Sequence, residues 1–448
     1  MIELNFSNIM EEVIGVRGLS KKILENFKEK VEEAHEQIRD RLWPQLAFID
    51  LPSQDTSEIK KIAQEVREES ENFLILGIGG SALGPRALLE ALSPFHNFTK
   101  SPKVFIYDNV DPKTLKHILS LIDLKKTSVN AISKSGSTAE TVASFMFLWD
   151  EMKRVLGNNA SKRFIATTDP EKGNLRTIVG RESLKSLPIP PGVVGRYSVL
   201  SPVGLLLAEV IRIDSDELLI GAKDIQKRCS NSELWKNPVY LFGTLLYLMD
   251  KKEGRTINVM VAYADGLKPL SEWFCQLWAE SLGKQEVGLT PYPSVGVTDQ
   301  HSQLQLWIEG PQDKVVIFIR INDYGVDIKI PNVFKDMEGL SYLSGHTLSE
   351  LMKAEEEATE IALAKAGRPN MTITVPKIDA YHMGQLFHFL ELATAFTGFL
   401  YGVNPFNQPG VEEGKNLTYG MMGRRGFEEK KKEVENHREK RASIYLLP

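Results

Sequence analysis

Four short apolar runs, spaced by segments of helical length, constrain the fold of this 448-residue chain more than any other feature. FLILG at 73–77, KVFIYD at 103–108, SVNAIS at 128–133 and RFIATT at 163–168 have the length and the branched or aromatic content of buried strands. The segments at about 82–93, 112–121, 137–155 and 172–181 read as the helices between them. Strand and helix in alternation imply a parallel sheet with helices on both faces. Proline-rich SLPIPPG at 186–192 interrupts the pattern. A second alternating unit follows, with strands at INVMVAY (257–263), VVIFIRI (315–321) and MTITVP (371–376). Its helices are expected near 200–212, 235–251, 267–282, 298–308, 347–365 and 379–402. The expected class is α/β, with two units of one architecture.

Residues 1–45 are charged and heptad-like, as in an N-terminal helical arm, and the tail from Gly410 also reads as helix. The apolar segment Leu386 to Val403 contains His388 and Glu391, which favours a buried helix over a membrane span. A net charge of −5 argues against nucleic-acid binding through bulk positive charge. Lys430-Lys431-Lys432 is interleaved with acids and reads as a solvated helix face. Cys229 and Cys275 follow no metal or redox spacing, so both are expected reduced, as in the cytoplasm. The N-terminal MIELNFSNIM has neither the basic nor the apolar region of a signal peptide.

GIGGSALGP at 77–85 follows the first apolar run and opens a helix. Glycines let the backbone approach a ligand, and exposed helix N–H groups attract an anion. GIGGSA also fits the dinucleotide fingerprint, with Asp108 at the end of the next strand as the ribose acid. A nicotinamide-dependent dehydrogenase is therefore a rival reading, and a bare strand-to-helix turn is another.

SKSGST at 133–138 tips the balance. Ser133, Ser135, Ser137 and Thr138 surround Gly136 just before a helix, and Lys134 adds charge. Several hydroxyl donors at a helix start suit a phosphate monoester. The plain alternative is helix capping by Thr138.

Among candidate acids and bases, His301 lies in TDQHSQLQLW, where Thr298 can cap a helix and leave the histidine in its first turn. A histidine there can accept or shuttle a proton. Glu280 borders the apolar stripe Trp273, Phe274, Leu277, Trp278, with Gln276 one turn earlier. A carboxylate beside tryptophans is partly desolvated, which suits a base. The bland alternative is an i,i+4 pair with Lys284. Arg196 in GRYS could stabilise an oxyanion or form a structural salt bridge. Lys415 in FNQPGVEEGK could serve the site or be an ordinary helix lysine. No H-E-x-x-H, His/Cys cluster or calcium-loop pattern points to a metal.

Together these motifs resemble the glucose-6-phosphate isomerase family along nearly the whole chain. FNQPGVEEGK at 406–415 is similar to that family's C-terminal signature, and GRYSVLSPVG at 195–204 to its other one. The chain departs at Val194, where many members carry a second glycine. SKSGST and NQPGVE look like the shorter bacterial type. The resemblance implies two sugar-isomerase (SIS) domains, each a mainly parallel sheet sandwiched between helices. The expected order is a helical arm at 1–45, a phosphate-binding domain at 46–190 and a base-carrying domain at 191–402. A C-terminal segment at 403–448 completes the site.

By matched position the resemblance makes Glu280 the proton-transferring base, with Gln276 beside the substrate. Arg196 stabilises the enediolate, and His301 and Lys415 assist ring opening. Gln408 lines the site, Ser133, Lys134, Ser135 and Thr138 hold phosphate, and Gly80 and Ser81 border the sugar. It implies interconversion of glucose 6-phosphate and fructose 6-phosphate, in glycolysis and gluconeogenesis, without cofactor or metal. It also implies a homodimer in which His301 reaches the neighbouring subunit's site. A sugar-phosphate sensor on the same domains remains open, since it would need the serine loop but neither Glu280, His301 nor Lys415.

Overall fold

The computed structural model describes residues 1–440 and Tyr445; the rest of the expected C-terminal segment lies outside the described residues. The strands are β1 (Glu3–Asn5), β2 (Asn72–Leu76), β3 (Lys103–Tyr107), β4 (Thr127–Ser133) and β5 (Phe164–Thr168). They continue with β6 (Lys185–Pro188), β7 (Ile257–Ala262), β8 (Thr290–Val295), β9 (Lys314–Asp323) and β10 (Asn370–Lys377). They form two five-stranded sheets, ordered β3-β2-β4-β5-β6 and β1-β10-β9-β7-β8. Among the described strands every pairing is parallel except β1 with β10, where Glu3 faces Thr374 and Asn5 faces Thr372. The fold is α/β, as the alternation implies.

Side-chain alternation along the strands builds the layers. Phe73 and Ile75 of β2 enter a large core that also receives Met260 and Ala262 of β7 and Ile317 and Ile319 of β9. Leu74 and Leu76 point the other way, toward Phe145, Leu148 and Met152 of the helix Ala139–Leu156. Val259 and Val261 do the same on the second sheet, against Trp307 and Leu363. The helix Ala380–Tyr401 runs through the large core and is buried on all sides, which explains its apolar sequence. No helix among the described residues is long and apolar enough to cross a membrane.

Two parts of the chain differ from the sequence reading. Residues 1–45 are not simply a helical arm: they begin with β1, which completes the second sheet, and only Lys28–Arg39 forms a helix of several turns. The tail is two helices, Glu412–Met421 and Glu428–Glu439, separated where Gly423 and Gly426 take positive φ. The lysine run lies on the second of these helices, with Lys430 paired to Glu413 and Glu433 and Lys432 to Glu429. The strands β6 and β8 and the helices Ser57–Glu69 and Ser215–Arg228 are further elements absent from that reading.

Candidate active site

In the first sheet β2 lies between β3 and β4, so the chain order reverses at β2. The carboxyl ends of β2 and β4 flank that switch point, where open α/β sheets bind ligands. GIGGS leaves β2 and SKSGST leaves β4. Gly80 packs so closely on the turn Gly195–Tyr197 that a Cβ would lie 2.2 Å from the Gly195 carbonyl carbon. This contact by itself demands a glycine, with no dinucleotide needed to explain it. Asp108 is held by Arg86 at 2.7 Å, so the ribose-gripping acid of the dehydrogenase reading is engaged elsewhere.

In the serine loop, Ser133 Oγ accepts from the Gly136 amide at 3.1 Å and lies 3.2 Å from Thr138 Oγ1. Ser135 Oγ accepts from the Ser137 amide at 3.2 Å. Gly136 has φ +62°, a conformation that favours glycine. Thr138 stands at the N-cap of Ala139–Leu156, yet its side chain makes no capping bond, which corrects the capping alternative. The Lys134 ammonium donates to the Val193 carbonyl at 2.6 Å and so ties the loop to the arginine turn. Burial pushes that ammonium below the usual lysine value; Asp169 opposes the fall and Lys172 adds to it.

Arg196 is buried, its side chain 2% exposed, and all five guanidinium donors are engaged. Nε donates to Ser281 Oγ at 2.8 Å, and Nη2 to the carbonyls of Pro405 at 2.7 Å and Asn407 at 3.1 Å. Nη1 donates to Glu280 Oε2 at 3.1 Å and to Gln408 Oε1 at 2.9 Å. Val194, just before this turn, has φ −93° and ψ 158°, extended backbone that needs no glycine.

Glu280 and Gln276 share one face of the helix Lys268–Leu282, with Gln276 Nε2 3.4 Å from Glu280 Oε1. The tryptophans point into the core and Glu280 points into the cleft, so Arg196 rather than Trp273 or Trp278 governs its surroundings. The alternative pair with Lys284 is not formed: the Lys284 ammonium donates to the carbonyls of Glu280 and Ser281.

These groups line one cleft of about 1220 Å³. Gly80, Ser81, Ser133, Lys134, Ser135, Thr138, Arg196, Gln276, Glu280, Gln408 and Lys415 all contribute to its wall. Lys415 sits on Glu412–Met421, half-exposed, its ammonium 2.8 Å from Glu412 Oε1. His301 is not part of the wall. It is exposed in the first turn of the helix Gln300–Glu309, whose N-cap is Asp299 rather than Thr298. Asp299 is fixed there by bonds from Ser294 Oγ and the Val295 amide.

The cleft also includes Asp169, Lys172, Glu412, Tyr419 and Arg424, which sequence reasoning missed. Asp169 had a usable signal, since it follows β5, the neighbour of β4. Arg424, which stacks on Tyr419 at 4.3 Å, had none.

The family model described as phosphoglucose isomerase matches residues 61–441. A glucose-6-phosphate isomerase of Carboxydothermus hydrogenoformans is 42% identical over 451 residues, covering 97% of each chain. One of Rubrobacter xylanophilus is 48% identical over 373 residues, covering 82% of this chain and 86% of the relative. Among solved structures, a hypothetical protein of Thermus thermophilus has a TM-score of 0.85 at 37% identity, covering 94% of this chain and 100% of the other. A glucose-6-phosphate isomerase of Chlamydia trachomatis has the same fold, with a TM-score of 0.79 at 23% identity over 94% of this chain and 88% of its own. On the family match and on identity sustained over most of its length, the chain belongs to the phosphoglucose isomerase family.

Proposed function

We propose that this chain carries out the reversible isomerisation of glucose 6-phosphate and fructose 6-phosphate, a step of glycolysis and gluconeogenesis, with Glu280 as the base. The observation that carries the residue assignment is the contact of Arg196 Nη1 with Glu280 Oε2 at 3.1 Å, in a cleft that the serine loop also lines.

The phosphate binds at Ser133, Lys134, Ser135 and Thr138, and Gly80 and Ser81 border the sugar. Binding energy from this remote group fixes the orientation of the reacting carbons. Lys415 and His301 move protons at the ring oxygen and the anomeric hydroxyl, and the ring opens. Glu280 then takes the proton from C2 and returns it at C1 through a cis-enediol. Arg196 sets a positive charge beside the carboxylate that accepts the proton. Nε and Nη2 of Arg196 are bound to fixed groups, while Nη1 can exchange Gln408 for the oxygen that becomes negative. Gln276 orients the carboxylate from the helix turn below.

The active form is a homodimer, and His301 serves the neighbouring subunit's site. Two observations support this reading. His301 is exposed and outside the cleft of its own chain. The segment after β9 exposes Val326, Ile328, Val333, Phe334, Tyr342 and Leu348, apolar surface of the kind a partner subunit would cover. The cytoplasm is the compartment that fits a sugar-phosphate enzyme with Cys229 and Cys275 unpaired.

The test is conversion of fructose 6-phosphate in deuterated water, followed by NMR with chelator present and nucleotide omitted. Conversion with deuterium at the exchanging carbon is expected, and Glu280→Gln should bind substrate without turning it over. Near-normal turnover by Glu280→Gln would remove Glu280 from the role of base.

A further inference from the structure

The helix that carries Glu280 ends at Gly283, and the carbonyls of its last turn lack partners within the helix. Lys284 folds back over this end. Its ammonium donates to the Glu280 carbonyl at 2.6 Å and to the Ser281 carbonyl at 2.6 Å. Those two residues are the ones the site depends on: the first carries the carboxylate, and the second accepts from Arg196 Nε at 2.8 Å. Ser281 Oγ also lies 3.2 Å from the buried Tyr197 hydroxyl. One cation therefore clamps the backbone under both halves of the Arg196–Glu280 pair. A positive charge at a helix C-terminus is also the favourable sign for the helix dipole.

We propose that Lys284 is a positioning residue for the isomerisation: by tethering the Glu280 and Ser281 carbonyls it holds the Glu280 carboxylate and the Arg196 guanidinium in register for proton transfer. The proposal rests on the reading of Glu280 as the base. A small misplacement of a reacting group costs up to about 10²-fold in rate, so the tether acts on kcat. It touches neither the serine loop nor the sugar-bordering glycines, so it leaves phosphate binding alone.

Lys284 is half-buried, and burial, aided by Arg196 and opposed by Glu280, pushes its ammonium down to about 8. The charged groups that act on it are Arg196 on the arginine turn and Glu280 on the helix that precedes it. Glu391 of the buried helix acts on Tyr197, whose hydroxyl lies beside Ser281. Below about 8 the lysine is charged and the clamp is at full strength; above it the neutral amine donates weakly and the pair loosens.

The experiment is kcat and KM for fructose 6-phosphate against pH in wild type, Lys284→Met and Lys284→Arg. Lys284→Met is expected to lose about tenfold to 10²-fold in kcat with KM little changed, and to lose the alkaline limb near pH 8. Lys284→Arg keeps a cation and is expected to recover much of kcat, with the limb moved to higher pH. Wild-type kcat and an unchanged limb in Lys284→Met overturn the proposal. If Lys284→Met does not fold, Lys284→Arg decides: a limb that moves supports the tether, and one that stays overturns it. Glu280→Gln, run in parallel, separates the two readings. If Glu280→Gln turns over normally, the base assignment itself fails. If Glu280→Gln is inactive while the Lys284 variants behave as wild type, only the tether fails.

Discussion

Gly80 and Gly195 touch backbone to backbone: a methyl group on Gly80 would lie 2.3 Å from the Gly195 carbonyl oxygen and 2.6 Å from the Arg196 amide nitrogen. The first glycine loop is thus the seat on which the arginine turn rests. Gly80→Ala should displace that turn and with it Arg196, lowering kcat about tenfold or more in a protein that still folds. Steady-state kinetics beside a thermal melt checks this, and an unchanged kcat would mean that the turn can yield.

Arg196 uses all five donors in a fixed fork, which a lysine cannot reproduce with three donors on a compact ammonium. Arg196→Lys should cost roughly 10²–10³ in kcat, the usual scale for losing an oxyanion-stabilising donor. KM should change far less, because the phosphate loop is intact. A variant that lost affinity instead of turnover would show that Arg196 binds the ground state.

Ser133 and Thr138 hold hydroxyls 3.2 Å apart at the end of β4. Ser133→Ala and Thr138→Ala should each raise KM by about tenfold, the worth of one hydrogen bond to a charged group, with kcat nearly preserved. Inorganic phosphate should weaken as a competitive inhibitor in parallel. Equal inhibition of wild type and both variants would move the phosphate elsewhere in the cleft.

If His301 acts across a dimer, two dead variants should rescue each other. His301→Ala and Glu280→Gln are each expected to be inactive. Unfolded and refolded together, they form mixed dimers with one intact site, giving ~25% of wild-type activity under random pairing of a two-fold dimer. No recovery in a mixture shown to contain mixed dimers would place His301 in its own chain's site or outside the chemistry.

His388 and Glu391 lie fully buried in the helix Ala380–Tyr401, with Nδ1 and Oε2 3.4 Å apart. Burial lowers the His388 imidazole from 6.5 to about 3 and raises the Glu391 carboxyl well above 4.5. Between 6.5 and about 3 the unfolded chain binds the histidine proton and the folded chain does not, so stability is lost as pH falls through that window. Glu391 works the other way above 4.5, where its carboxyl stays protonated only in the folded protein. The His388 loss should therefore emerge below 4.5. His388→Gln should show a smaller fall in melting temperature across the acid end of this window than wild type. An identical fall would assign the acid sensitivity to other groups.

The two loops at the ends of β2 and β4 were legible because each is local: a strand, a few small or hydroxyl residues and a helix start within about ten positions. The Arg196–Glu280 contact was not legible from spacing. Arg196 and Glu280 are brought together by the packing of the arginine turn on a distant helix, and at Glu280 local spacing favoured the wrong partner, Lys284. The family resemblance set both residues at one site, and both line one cleft. Strand β8 escaped because Pro291 and Pro293 interrupt it; it survives at the edge of its sheet, beside β7, where missing N–H groups are tolerated. Strand β1 escaped because three residues carry no readable alternation, and its partner β10 lies at the far end of the sequence.

That last pairing bears on how the protein is made. Of the described strands, β1 leaves the ribosome first and β10 last, yet Leu4 lies opposite Ile373. The strands of the first sheet, β2 to β6, all emerge before β7, so their pairing can begin while synthesis is still under way. The second sheet must wait: its edge stays unsealed until the two most distant strands meet, a closure of high contact order and correspondingly slow. A nascent chain stalled before β10 should thus hold the paired strands of the first sheet beside an open, aggregation-prone edge, leaving β1 the last strand to lock.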